Sequence, residues 1–246
     1  MKKKIINFII DYFFHTAFFF ALFFTQSHIL LGFTLNSNLV ILVFFSTLLI
    51  YNFSNLGSGK FKIRRFIIYL SLIICFFIIV NLLTIIIDTI IYITLLLFLV
   101  LSYVAPNINF KPRNFFLLKI FLLAFTWALG SILFADNGLM KYILFVSNFL
   151  FVVSISIPFD IRDVETDLII TIPKYFGVNK SILLSLILFS ISTILLGYVT
   201  GKFLLFSLLL FVGNMFLYQA KTYSKNKYYL AGLEALIGLQ TVCLWI

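Results

Sequence analysis

Of the chain's 246 residues, 63% are hydrophobic and only 11% are charged, whereas soluble domains carry about a quarter charged residues. That excludes a water-soluble fold, because no aqueous core hides so large a share of apolar side chains. The formal charge of +10 does not point to nucleic acid, since the basic residues stand in short connections beside apolar runs, where they set orientation in a bilayer.

A span needs about 20 apolar residues to cross roughly 30 Å of hydrocarbon. Apolar runs bounded by Gly, Pro, Asn and charge clusters occupy 6–27, 37–53, 66–82, 85–104, 115–134, 140–159, 180–199, 202–219 and 228–246. In lipid the backbone must satisfy its own hydrogen bonds, so each run predicts a helix. The reading is a single all-α, polytopic transmembrane domain over 1–246, with about nine helices. The opening MKKKIINFIIDYFFHTAFFF has the basic start of a secretory signal, but no small-residue cleavage site follows, and it is read as the first span. Cys75 and Cys243 lie inside apolar runs, without the spacing of a disulfide framework or zinc site, and predict buried thiols.

Charge asymmetry orients the array. With the amino terminus in the cytoplasm, the inner segments hold Lys2, Lys3, Lys4, Lys60, Lys62, Arg64, Arg65, Lys111, Arg113, Arg162, Lys174, Lys180, Lys221, Lys225 and Lys227, against Lys141 and Lys202 outside. That bias predicts an inner N-terminus and an outer C-terminus, with the 54–65 and 160–180 connections cytoplasmic. The third and fourth runs nearly merge around Asn81 to Thr84, but an eight-span count would put the later basic connections outside. The expected location is the bilayer of a bacterial inner (cytoplasmic) membrane, spanned several times.

The chain has eight acidic residues, and Asp160, Asp163, Glu165 and Asp167 crowd into DIRDVETD at the end of the sixth run. Packed carboxylates repel one another and are costly beside hydrocarbon unless a cation relieves them. On a helix turning about 100° per residue, Asp160, Asp163 and Asp167 share an arc of about 60°, with Glu165 and Arg162 pointing away. Such a face suits Mg²⁺, which is held by a couple of carboxylates with substrate phosphates and water. The plainer reading is a solvated acidic loop at the membrane surface.

Other polar residues are sparser. YNFSNLGSGKFKIRR places Lys60, Lys62, Arg64 and Arg65 after a Gly-Ser-Gly stretch, where they either close over a polyphosphate or serve as a topology signal and headgroup contact. Its spacing is not that of a P-loop. Lys119 sits near the interface end of the fifth run and can snorkel. Glu234 lies within the ninth run, and Asp11 with His15 makes an i, i+4 pair on the first; charged groups at such depth face a cavity or each other. Asn148 and Gln240 suit interhelical hydrogen bonds, and Trp127 packs.

Together these features resemble the UbiA superfamily of intramembrane aromatic prenyltransferases, whose plan is nine helices with acidic motifs in the connections after the second and sixth. PFDIRDVETDLIITIP followed by FG is similar to that family's second aspartate motif, and RNFFLLKIFLLAFTW to its fifth-helix entry. The first motif departs from the pattern: Asn52 matches, but Leu56 and Lys60 stand where carboxylates belong. The resemblance implies a central cavity in which Mg²⁺ and an isoprenyl diphosphate meet a hydrophobic acceptor. It implies catalytic and metal-binding roles for Asp160, Asp163 and Asp167, with Asn52, Lys60, Arg64, Arg65 and Lys119 toward the diphosphate. Two rival readings are a non-catalytic relative that binds a prenyl lipid or partner, and a small transporter. The transporter lacks the paired broken spans of inverted-repeat carriers.

Overall fold

Each predicted run becomes helical in the computed structural model, which describes residues 2–56, 61–82, 89–104, 117–134, 138–165, 170–222 and 228–245. The helices are α1 (Lys2–Asp11), α2 (Phe14–Leu30), α3 (Ser37–Ser54), α4 (Phe61–Asn81), α5 (Ile90–Val104), α6 (Leu118–Ser131), α7 (Leu139–Arg162), α8 (Ile172–Phe176), α9 (Val178–Thr200), α10 (Phe203–Gln219) and α11 (Ala235–Trp245). A π-helical segment, Tyr228–Leu233, precedes α11. Among the described residues there is no strand.

Two departures from the predicted runs have local causes. The first run breaks between α1 and α2, because Phe13 takes the left-handed backbone at φ 61°, a conformation costly for any residue with a β-carbon. Side chains from two other helices hold the break. Asn52 Nδ2 donates to the Tyr12 carbonyl at 2.9 Å, and an Arg64 guanidinium nitrogen donates to the Asp11 carbonyl at 3.0 Å. The same guanidinium lies over the Tyr12 and Phe13 rings, 5.6 and 5.5 Å from their centroids. The second departure is the short helix α8, started by Pro173 in its first turn and separated from α9 by Gly177 at φ 81°.

The helices close a ring. In order, α2 packs on α3, α3 on α5, α5 on α6, α6 on α7, α7 on α9, α9 on α10 and α10 on α11, and α11 returns to α2. α4 packs outside against α3, and α2 also touches α6. The outer face is apolar: Phe66, Phe76 and Phe77 of α4 are each more than 60% exposed. An apolar exterior this extensive belongs in lipid. Ser37–Ser54, Lys62–Asn81, Leu139–Arg162 and Val178–Thr200 are long and apolar enough to cross a membrane, and Phe14–Leu30, Ile90–Val100, Leu118–Ser131, Phe203–Gln219 and Ala235–Trp245 are apolar but shorter. The chain is a polytopic, all-α membrane protein.

Lipid supplies no hydrophobic drive between helices, so small and polar residues join them. Ser147 and Ser192 exchange hydrogen bonds across α7 and α9, each hydroxyl donating to the other's carbonyl at 3.0 and 2.9 Å. Asn148 Nδ2 donates to Ser27 and Ser131, both at 2.9 Å, and so ties α7 to α2 and α6, as expected of it. Gln240 differs from expectation: it is buried, and neither of its amide atoms meets a partner among the described residues. Both cysteines are free, with Cys75 buried and Cys243 half-buried.

Candidate functional site

Pro158 shapes the helix that carries the acidic motif. With no N–H to offer, it leaves the Ser154 carbonyl without its usual helical donor, and the Ser185 hydroxyl of α9 donates to that carbonyl instead, at 2.7 Å. Two residues beyond the proline, Asp160 is buried at 4% exposure. Lys119, at the start of α6, donates to its Oδ1 at 2.9 Å.

α7 stops at Arg162, and Asp163 is the capping residue just outside it, its backbone N–H still donating to the Phe159 carbonyl at 3.1 Å, so that Asp160 and Asp163 both face one cavity. Arg162 does not point away. Its guanidinium grips the Asp163 carboxylate through two hydrogen bonds of 2.7 and 2.6 Å and lies over the Phe159 and Tyr229 rings, 5.3 Å from each centroid. Tyr229 is fixed in turn, its hydroxyl donating to the Ala220 carbonyl at 3.0 Å.

These groups open on one cavity of about 300 Å³, lined on its polar side by Lys119, Asp160, Arg162, Asp163, His15 and Glu234, and on its apolar side by aromatic residues including Phe13, Tyr51, Trp127 and Phe159. A second, apolar hollow of about 100 Å³ adjoins it between α3, α5 and α6, sharing Tyr51, Leu123 and Trp127. Trp127, read as simple packing, does pack on Phe20 and Phe23, with centroids 4.8 and 6.3 Å apart. It also forms the wall common to both hollows.

Other predicted positions lie elsewhere. Asn52 is fully buried and Arg64 is 6% exposed; both serve the helix break and neither lines the cavity. Arg65 is exposed and also absent from its wall. Lys60 and Asp167 lie outside the described residues. His15, expected to face Asp11, is paired instead with Glu234 of the ninth run, Nε2 to Oε2 at 3.5 Å. The break at Phe13 interrupts the i, i+4 spacing that would have joined it to Asp11. Sequence reasoning flagged both His15 and Glu234 as intramembrane ionisable groups, but the partnership spans 219 residues (234 minus 15) and leaves no periodic trace.

Among the described residues no three acidic, histidine or cysteine side chains gather as a metal cage. Asp160 and Asp163 nevertheless face the same cavity, and two carboxylates suit a Mg²⁺ ion that arrives with phosphate oxygens to complete its shell.

No protein-family model matches the chain, and no curated protein matches it. A solved structure does, that of a digeranylgeranylglyceryl phosphate synthase in membranes, with a TM-score of 0.59 over 93% of this chain and 91% of that one, at 16% identity. This chain has that synthase's fold. The agreement covers nearly the whole of both chains, so the ring of helices belongs to the shared fold.

Proposed function

We propose that the protein transfers an isoprenyl group from its diphosphate to a hydrophobic acceptor within the membrane. The observation that carries this reading is the junction of a charged cavity with an apolar hollow inside the synthase fold. A diphosphate joined to a hydrocarbon chain has the same two-part chemistry. Lys119 and Arg162 offer cationic donors to the phosphate oxygens, which strengthens as charge builds on the leaving group. Asp160 and Asp163 position those cations and would hold Mg²⁺, with Asp167 and Lys60 proposed from the sequence motifs to complete the phosphate end. Bound there, the metal would supply further positive charge to the departing diphosphate. The faces of Tyr51, Trp127, Phe13 and Phe159 suit an allylic carbocation, which is drawn to aromatic quadrupoles and needs water kept away.

The rival reading is a relative that binds a prenyl diphosphate without turning it over. It is favoured by Leu56 and Lys60 at the first motif and by the salt bridges that already occupy Asp160 and Asp163. Purified protein in lipid nanodiscs with farnesyl diphosphate and Mg²⁺ separates the two. Release of diphosphate by wild type supports transfer, and tight binding without release supports the rival. Arg162→Ala removes a charge-assisted donor worth about 1.5–3 kcal/mol, so turnover or diphosphate affinity should fall roughly tenfold to a hundredfold. An Arg162→Ala protein as active as wild type would remove this end of the cavity from the chemistry.

A further inference from the structure

The phosphate end leaves one part of the cavity unassigned. On its wall His15 Nε2 lies 3.5 Å from Glu234 Oε2, with side chains 11% and 12% exposed, and the Thr16 hydroxyl lies 3.3 Å from the same ring nitrogen. Nδ1 faces the Ile9 carbonyl at 3.4 Å. A carbonyl only accepts, so this contact assigns the ring hydrogen to Nδ1 and leaves Nε2, in neutral imidazole, as the basic nitrogen. Each member stands beside a departure from regular helix. His15 follows the left-handed Phe13 by two residues, and Glu234 follows the π-helical segment Tyr228–Leu233 directly. Such irregularities gather where side chains are re-aimed for function.

We propose that His15 and Glu234 form the acceptor end of the cavity, where they receive the proton of a hydroxyl-bearing hydrophobic acceptor. The proposal rests on the prenyl-transfer reading. In that reaction the allylic C–O bond breaks and its electron pair leaves with diphosphate. A lone pair of the acceptor oxygen forms the new C–O bond to the isoprenyl carbon. The hydroxyl proton passes to Nε2 of His15, with Glu234 balancing the imidazolium charge, and from there to water. The net change is an ether, free diphosphate and one proton. Neither Lys119 nor Arg162 suits this step, because each is already a cation at neutral pH and engaged with an aspartate.

The test uses the full chain in nanodiscs with Mg²⁺, farnesyl diphosphate, and two hydroxyl probes, 1-oleoylglycerol as an alcohol and 4-nonylphenol as a phenol. Farnesyl diphosphate binding and acceptor-free diphosphate release are measured beside transfer. His15→Gln and Glu234→Gln should leave binding and acceptor-free release within about threefold of wild type while transfer falls on the order of a hundredfold, the scale of a lost general base. Glu234→Asp should recover part of the transfer. If Glu234→Gln does not fold, His15→Gln decides. Transfer within threefold of wild type in His15→Gln overturns the assignment and leaves the prenyl-transfer reading intact. Wild type that cleaves the donor but prenylates neither probe overturns the hydroxyl-acceptor class. Wild type that neither binds nor cleaves farnesyl diphosphate overturns both readings.

Discussion

At the scale of single residues, the divergence of the first motif has a structural counterpart. Asn52 and Arg64, which the sequence resemblance sets toward a diphosphate, hold the break between α1 and α2, and Arg64 also reaches Asn52 Oδ1 at 3.4 Å. Their effect on the cavity is indirect, through Phe13 and His15, which the break aims inward. Arg64→Gln should therefore destabilise the protein by about 1–3 kcal/mol, the cost of leaving buried acceptors unsatisfied. Thermal unfolding in detergent measures it. Diphosphate affinity per folded molecule should stay within about threefold of wild type, since Arg64 does not line the cavity and its guanidinium is engaged with Asn52 and the Asp11 carbonyl. A loss of affinity tenfold or larger, at wild-type stability, would return Arg64 to the phosphate site. Some of this is legible: the sequence singles out Asn52 and Arg64 as polar groups beside one connection, and assigns them to a diphosphate. Their shared target is not, because a backbone carbonyl exposed by a helix break has no residue-type signature.

At the scale of elements, α7 carries the site by combining a proline, a serine and an early stop. The sequence pattern predicts the helix and its acidic end, and it predicts Asp160, Asp163 and Asp167 along one stripe if the helix continues. α7 stops at Arg162, whose guanidinium grips the Asp163 carboxylate. Upstream, Pro158 and Ser185 are coupled through the Ser154 carbonyl. Ser185→Ala should cost about 1–2 kcal/mol, as the loss of one buried hydrogen bond in a membrane interior does. The double variant Pro158→Ala with Ser185→Ala restores a helical N–H donor to that carbonyl and should regain most of the loss. The cycle is measured by thermal unfolding of the four proteins. Strict additivity of the two single changes would show that they do not share the carbonyl.

At the scale of the whole molecule, the ring bears on whether the third and fourth runs cross separately. Tyr51 near the end of α3, Lys119 at the start of α6 and Asp160 near the end of α7 line one cavity, so these three helix ends lie on one side of the membrane. α4 and α5 must then cross separately, which the near-merged third and fourth runs left open. Single cysteines placed at Ser54 and at Lys174, in a background without Cys75 and Cys243, should resist an impermeant thiol reagent in intact cells and react after permeabilisation. Reaction at either site in intact cells would invert the orientation.

Composition, run length and charge asymmetry determined a helical, many-spanning membrane protein, because bilayer thickness and backbone hydrogen bonding leave a chain so apolar almost no other choice. The clustering of acidic residues marked one end of the site for the same reason, as charge beside lipid needs a cause. Tertiary structure alone decided which charges meet. Lys119 with Asp160 and His15 with Glu234 are brought together by ring closure across separations of 41 and 219 residues (160 minus 119, 234 minus 15). Local periodicity carries no record of such partners: the pattern of a helix reports which face meets lipid, whereas the pairing of polar groups within the ring depends on helix order, on the break at Phe13 and on where α7 ends.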